Sequence, residues 1–188
     1  MQTLKYTRKE LASIFQKLYE NGIDGVIIGD TSVQLYLNYS ELEGDIDLFT
    51  PEFSPLASRD VLEAVAHKYG WELSSSEVGL PALVVPVEQG YLVVEFYENY
   101  MDIEVPPQVL ENYVEYRING IRVKAVKPEC YLVLKARQGT DLDKLEKYVE
   151  KLKRKGLNLK LVELVLSLYP EEEQSLIAER LRGIKLGI

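Results

Sequence analysis

The sequence predicts a mixed α/β fold that gives way to a helical C-terminal region, and three observations predict it. A glycine-bounded apolar run, Gly25-Val26-Ile27-Ile28-Gly29, reads as a buried strand that turns into a helix. From Trp71 to Val126 apolar residues recur mostly with strand spacing, and after Pro128 they recur with helical spacing to near the end of the chain. A length of 188 residues fits one compact domain, or one domain with a helical appendage. We place the boundary between an α/β core, 1–127, and a helical region packed on it, 128–188.

Each element has a local reason. Thr7-Arg8-Lys9-Glu10 has the form of a capping box, and Leu11, Ile14, Phe15 and Leu18 continue it as the apolar stripe of a helix ending at Asn21-Gly22. After the Gly25–Gly29 strand, Asp30-Thr31-Ser32 supply cap-type residues for a short helix, Val33 to Leu37. Gly44 to Phe49 alternates as a strand, and Ser54-Pro55 opens a helix that runs to about Tyr69. Strands follow at 71–73, 82–87 and 91–97, with a loop at Val105-Pro106-Pro107. Asn119-Gly120 joins 114–118 to 121–126 as a hairpin. Helices are expected at 129–137, 140–155, 159–168 and 170–186.

Composition excludes several classes of function. One cysteine, Cys130, and one histidine, His67, rule out an internal disulfide and the usual cysteine or histidine metal clusters. A metal here would be held by oxygen, which points to Mg²⁺ or Mn²⁺. The formal net charge of -8 opposes indiscriminate binding to polyanions, although a local basic patch would overcome it. No run approaches the length of a membrane span, and the N-terminal residues lack the apolar core of a signal peptide. A cytoplasmic protein without membrane partners is expected.

The chemistry-bearing residues cluster early. On a strand, Asp45 and Asp47 project from one side while Ile46 and Leu48 enter the core. Such a pair is also what a solvated strand face looks like; beside a cleft, it would instead hold divalent cations and, through them, nucleotide phosphates. Gly29 supplies that context. Backbone N–H groups at a helix N-terminus attract phosphate, and a glycine before them lets a ligand approach the backbone.

Ile28-Gly29-Asp30-Thr31-Ser32 with its helix, followed by Gly44-Asp45-Ile46-Asp47-Leu48-Phe49, resembles the opening motif of the polymerase-β-like nucleotidyltransferase superfamily. The resemblance implies a mixed sheet flanked by helices, NTP as donor substrate, Asp45 and Asp47 as metal ligands, and phosphate contacts from Gly29, Asp30, Thr31 and Ser32. It also implies a third acid on a later strand. Glu95 and Glu98 in Tyr91 to Glu98 are the candidates; Glu95, set in the apolar run, is preferred as metal ligand and as acceptor of a proton. The segment from Ile118 to Tyr148 is similar to the AbiEii-like branch of abortive-infection toxins, which implies that Lys135 and Asp141 belong to the nucleotide site.

Asp30 stands where the superfamily has Gly or Ser. Its charge would repel phosphate, or it would cap the helix and occupy the anion position, which leaves open an altered donor preference or a lost activity. Thr31 or Ser32 would then supply the hydroxyl. Lys144, Lys147, Lys151, Lys153, Arg154, Lys155 and Lys160 form either a solvated helix face or a track for RNA. Tyr97, Tyr100, Tyr113 and Tyr116 would stack a base or pack the sheet, while His67 and Cys130 read as structural. Two functions follow: an Mg²⁺-dependent nucleotidyltransferase acting on a tRNA, other RNA or protein acceptor, for which the resemblance leaves open a toxin-like role with an antitoxin partner; or a binding or regulatory protein on the same fold that transfers nothing, as a component of a toxin and antitoxin pair.

Overall fold

The structure, a computed structural model, describes residues 4–187. Residues 1–3, the start of the segment read for a signal peptide, and residue 188 lie outside the described residues. The chain forms two compact units, one of residues 1–104 with 114–125 and one of residues 105–113 with 126–188.

In the first unit β1 (Lys5–Thr7) leads into α1 (Arg8–Tyr19), and the expected capping box is present in both directions between Thr7 and Glu10. β2 (Val26–Ile27) runs into α2 (Asp30–Tyr36), then β3 (Glu41–Glu43) and β4 (Ile46–Phe49). The next helix, α3 (Arg59–Tyr69), starts after Ser58 and not at Ser54-Pro55. Glu98 explains the delay: one carboxylate oxygen accepts from Ser54 Oγ and from the Leu56 backbone, both at 3.0 Å, and holds that segment as a turn.

β5 (Glu72–Ser75), β6 (Pro81–Val87) and β7 (Gly90–Tyr97) form a meander. In the second unit Pro106-Pro107 introduces a short helix, α4 (Pro107–Glu111), where a loop was expected; Pro107 occupies a first-turn position that needs no N–H donor. β8 (Tyr113–Ile118) and β9 (Ile121–Val126) follow. Asn119 and Gly120 both have positive φ, 50° and 80°, the backbone that a tight hairpin of this type requires.

The strands of the main sheet run in the order β5-β6-β7-β4-β2-β9-β8, and β1 pairs with β3 in a separate antiparallel ribbon. β4 and β7 are parallel, as are β2 and β9, whereas β2–β4 and the β5–β6–β7 meander are antiparallel, so the sheet is mixed. One face of β4 and β7 enters the core: Ile46, Leu48, Val94 and Phe96 are buried together with Leu11 and Phe15 of α1 and Leu62 and Val65 of α3. The period of two then leaves Asp47 and Glu95 on the opposite face.

The second unit is helical: α4, then α5 (Pro128–Gln138), α6 (Leu142–Lys155), α7 (Leu159–Leu166) and α8 (Glu171–Gly183). α5 is the buried helix, with Cys130, Tyr131, Leu132, Val133 and Ala136 out of solvent. Its C-terminal carbonyls at Ala136 and Arg137 accept from the Arg180 guanidinium of α8, at 2.8 and 2.7 Å. Burial pushes the Cys130 thiol up to about 12, which keeps it protonated and inert, while His67 is exposed in the last turn of α3.

Candidate active site

The site grows from the junction of β2, α2 and β4. Gly29 is the N-cap of α2 with φ −94° and ψ −163°, an extended backbone open to any residue. Its lack of a side chain matters for a different reason: a Cβ built there would lie 1.6 Å from Asp47 Oδ2. The expected role of Gly29 therefore changes. The space over its Cα is filled by the Asp47 carboxylate, so the glycine admits a protein acid to the start of α2.

Asp30 is the first residue of α2 and not its cap, which corrects the expectation that it closes the helix end. Thr31 and Ser32 turn inward. Both side chains are fully buried, and their hydroxyls are spent inside the protein. Ser32 Oγ donates to the Gly29 carbonyl at 2.7 Å, fastening the turn. Thr31 Oγ1 donates to the Asp45 carbonyl at 3.3 Å and lies 2.6 Å from the Tyr6 hydroxyl. Because the single Thr31 proton is directed to Asp45, Tyr6 donates to Thr31. A hydroxyl chain thus links β1, the first turn of α2 and the residue that begins the acidic strand. Tyr6→Phe is expected to lower stability by about 1 kcal/mol, read from urea denaturation, since it removes one buried hydrogen bond without changing shape.

Asp45 is exposed just ahead of β4, and Asp47 is half-buried within it. Glu95 is the register neighbour of Asp47 across the parallel β4–β7 pair, so the two side chains share one face. Glu98 instead accepts from Ser54 Oγ and the Leu56 backbone. Glu95 Oε2 accepts a hydrogen bond from the Tyr97 hydroxyl. Tyr97, read from the sequence as a side chain that stacks a base or packs the sheet, lies two positions along the same strand and so shares the face of Glu95.

The potential at this face is strongly negative. Burial, followed by the charges of Asp47, Glu95 and Asp45 and the hydrogen bond to Glu95, pushes the Tyr97 phenol far up. Burial also raises Tyr6, with Asp47, Asp45 and Asp30 adding to it. Burial pushes the Glu95 carboxyl up; the Tyr97 hydrogen bond pulls it back, and Asp45 adds to the rise. The sign for stability follows: a carboxyl raised in the fold favours the protonated form, so its contribution is full below the unfolded pKa and is lost as pH rises through the folded one. Glu95→Gln is therefore expected to raise the melting temperature at pH 7 and to leave it near wild type at about pH 3, below the ordinary glutamate range.

Concentrated anionic oxygen suits a hard divalent cation. Among the described residues, however, no three His, Cys, Asp or Glu side chains gather closely enough to make a protein cage. Asp45 and Asp47 are the residues that would hold Mg²⁺ or Mn²⁺, an ion that takes one or two carboxylates and completes its shell with water and substrate phosphate.

Lys135 and Asp141 belong to the second unit and pair with each other at 3.3 Å. Asp141 is itself the residue before α6, in the left-handed region at φ 53°. On α6, Lys147, Lys151, Lys153, Arg154 and Lys155 are exposed. Tyr100 and Tyr113 are exposed too, and Tyr116 packs against the core of the first unit. No described helix is long and apolar enough to cross a membrane.

The mixed sheet flanked by helices is a fold found in other solved structures. Over 98% of this chain and 96% of the other, the structure matches the crystal structure of an antigenic nucleotidyltransferase-like protein from Paracoccidioides brasiliensis, with a TM-score of 0.58 and 17% identity. ANT(2")-Ia, solved in complex with adenylyl-2"-tobramycin, matches at a TM-score of 0.46 and 18% identity, covering 94% of this chain and 97% of that one. The crystal structure of a putative nucleotidyltransferase from H. pylori matches at a TM-score of 0.38 and 14% identity, covering 95% of this chain and 94% of that one. No curated protein matches the chain. The chain belongs to the family described as nucleotidyl transferase of unknown function (DUF2204), whose model matches residues 7–183.

Proposed function

We propose that the protein is an Mg²⁺-dependent nucleotidyltransferase that moves a nucleoside monophosphate from an NTP to an acceptor hydroxyl. The observation that carries this reading is the face on which Asp45 and Asp47 stand beside the start of α2 with Glu95 in register next to Asp47. Asp45 and Asp47 would hold the cation, which when bound supplies charge neutralisation at the triphosphate. Glu95 accepts the proton of the acceptor hydroxyl. The acceptor oxygen forms a bond to the α-phosphorus as the bond to pyrophosphate breaks, and pyrophosphate leaves with the electron pair. Burial and neighbouring Asp45 make Glu95 a stronger base than an ordinary glutamate, which favours that role.

An RNA acceptor, tRNA included, is supported by the exposed cations of α6, which provide local positive charge on an acidic chain. A protein acceptor, a toxin-like role and an antitoxin partner rest on the resemblance of residues 118–148 alone. A second reading, nucleotide binding without transfer, is favoured by one observation: Asp30 in the first turn of α2 adds a carboxylate where phosphate would be drawn. Incubation of the protein with each α-labelled NTP, Mg²⁺ and total RNA or total protein separates the readings. Label in RNA together with pyrophosphate release is the expected result; bound NTP with no pyrophosphate from any acceptor would support the second reading.

A further inference from the structure

Glu95 is poorly anchored by its sheet neighbours. On one side its register partner is Asp47, whose ionised carboxylate has no proton to donate, and on the other it is Ala82, whose methyl offers no hydrogen bond. A glutamate with three side-chain torsions in that setting would spread its carboxylate over several rotamers. Tyr97 supplies the missing anchor. It follows Glu95 by two residues on β7 and its hydroxyl donates to Oε2. Its backbone is itself fixed, because the Tyr97 carbonyl accepts from both the Thr50 N–H, at 2.9 Å, and Thr50 Oγ1, at 3.3 Å.

We infer that Tyr97 is a positioning residue for nucleotidyl transfer: its hydroxyl holds one oxygen of Glu95 so that the other is presented to the acceptor hydroxyl. This inference rests on the transferase reading of the same site. A base must lie within hydrogen-bond reach of the proton it takes, and small misplacements of a reacting group cost large factors in rate. The ring places no atom on the reacting phosphate in this scheme, so Tyr97 acts through Glu95 alone.

The test is a kinetic double-mutant cycle of Tyr97→Phe and Glu95→Gln, with urea denaturation of each variant as the control for folding. Tyr97→Phe should lower kcat roughly 10-fold, the scale of one hydrogen bond to a charged group, and leave the KM for NTP unchanged. In the Glu95→Gln background the same substitution should cost nothing further, because the base it positions is gone. A wild-type kcat in Tyr97→Phe, an effect on KM alone, or an undiminished loss in the Glu95→Gln background would each overturn the inference while leaving the transferase reading intact. If the wild type releases no pyrophosphate with any NTP, the transferase reading fails and the inference falls with it.

Discussion

Asp45→Asn and Asp47→Asn are each expected to lower kcat/KM for the NTP by at least roughly a thousand-fold, with melting temperatures no lower than wild type. The size follows from the several kcal/mol that a bound cation contributes to transition-state charge, at about 1.4 kcal/mol per tenfold in rate. The stability expectation follows from the same charges. Asp47 has Glu95 as its strand neighbour, and both aspartates add to the negative potential at Tyr6 and Tyr97. Neutralising either one removes one of these charges, and the melting temperature of each variant shows whether folding contributes to a loss of activity. Steady-state pyrophosphate release gives the rates and calorimetric melting gives the stabilities. Glu63→Gln, an exposed change on α3, should leave both at wild-type values.

The second large effect is expected from Gly29→Ala. A methyl group there would meet Oδ2, Cγ and Cβ of Asp47 at 1.6, 2.6 and 2.9 Å, so turning the end of the carboxylate gives no relief. Either Asp47 swings out of the site or the β2–β4 pairing opens where Ile28 donates to the Asp47 carbonyl. Overpacking of this kind costs about 1–3 kcal/mol of stability. Displacement of Asp47 should cost roughly 100-fold in kcat/KM, since a shift near 1 Å in a reacting group has that effect. Combining Gly29→Ala with Asp47→Ala, which removes the two nearest atoms and keeps the Cβ at 2.9 Å, should restore part of the stability and none of the activity. Urea denaturation of the single and double variants checks the first statement; recovery of activity in the double variant would contradict the second.

What the chain reveals before folding depends on how local the physics is. The capping box at Thr7, the Asn119-Gly120 turn and the proline opening α5 are set by adjacent residues, and each stands where the sequence places it. β1 and β3 were missed because three residues each cannot display an alternation, and because they pair only with each other. The start of α3 was misplaced because Glu98, 44 residues beyond Ser54, decides it. The same holds at the site. Period two was enough to put Asp45 and Asp47 opposite the core residues Ile46 and Leu48. Nothing in the linear spacing told that Asp47 would rest on Gly29, or that Thr31 and Ser32 would turn inward to Tyr6 and to the backbone. Glu95 could be preferred over Glu98 from its apolar surroundings, but the separation of their roles came from the parallel register of β4 with β7 and from the partners of Glu98.

The central claim is that Asp45 and Asp47 make this face a cation-dependent nucleotide site. Isothermal titration of the wild-type chain with each NTP, in Mg²⁺ and in EDTA, tests it most directly. The account predicts binding of at least one NTP in Mg²⁺, weakened by an order of magnitude or more in EDTA and in Asp45→Asn. Binding that is indifferent to both Mg²⁺ and Asp45→Asn, or the absence of binding with all four NTPs, would contradict it.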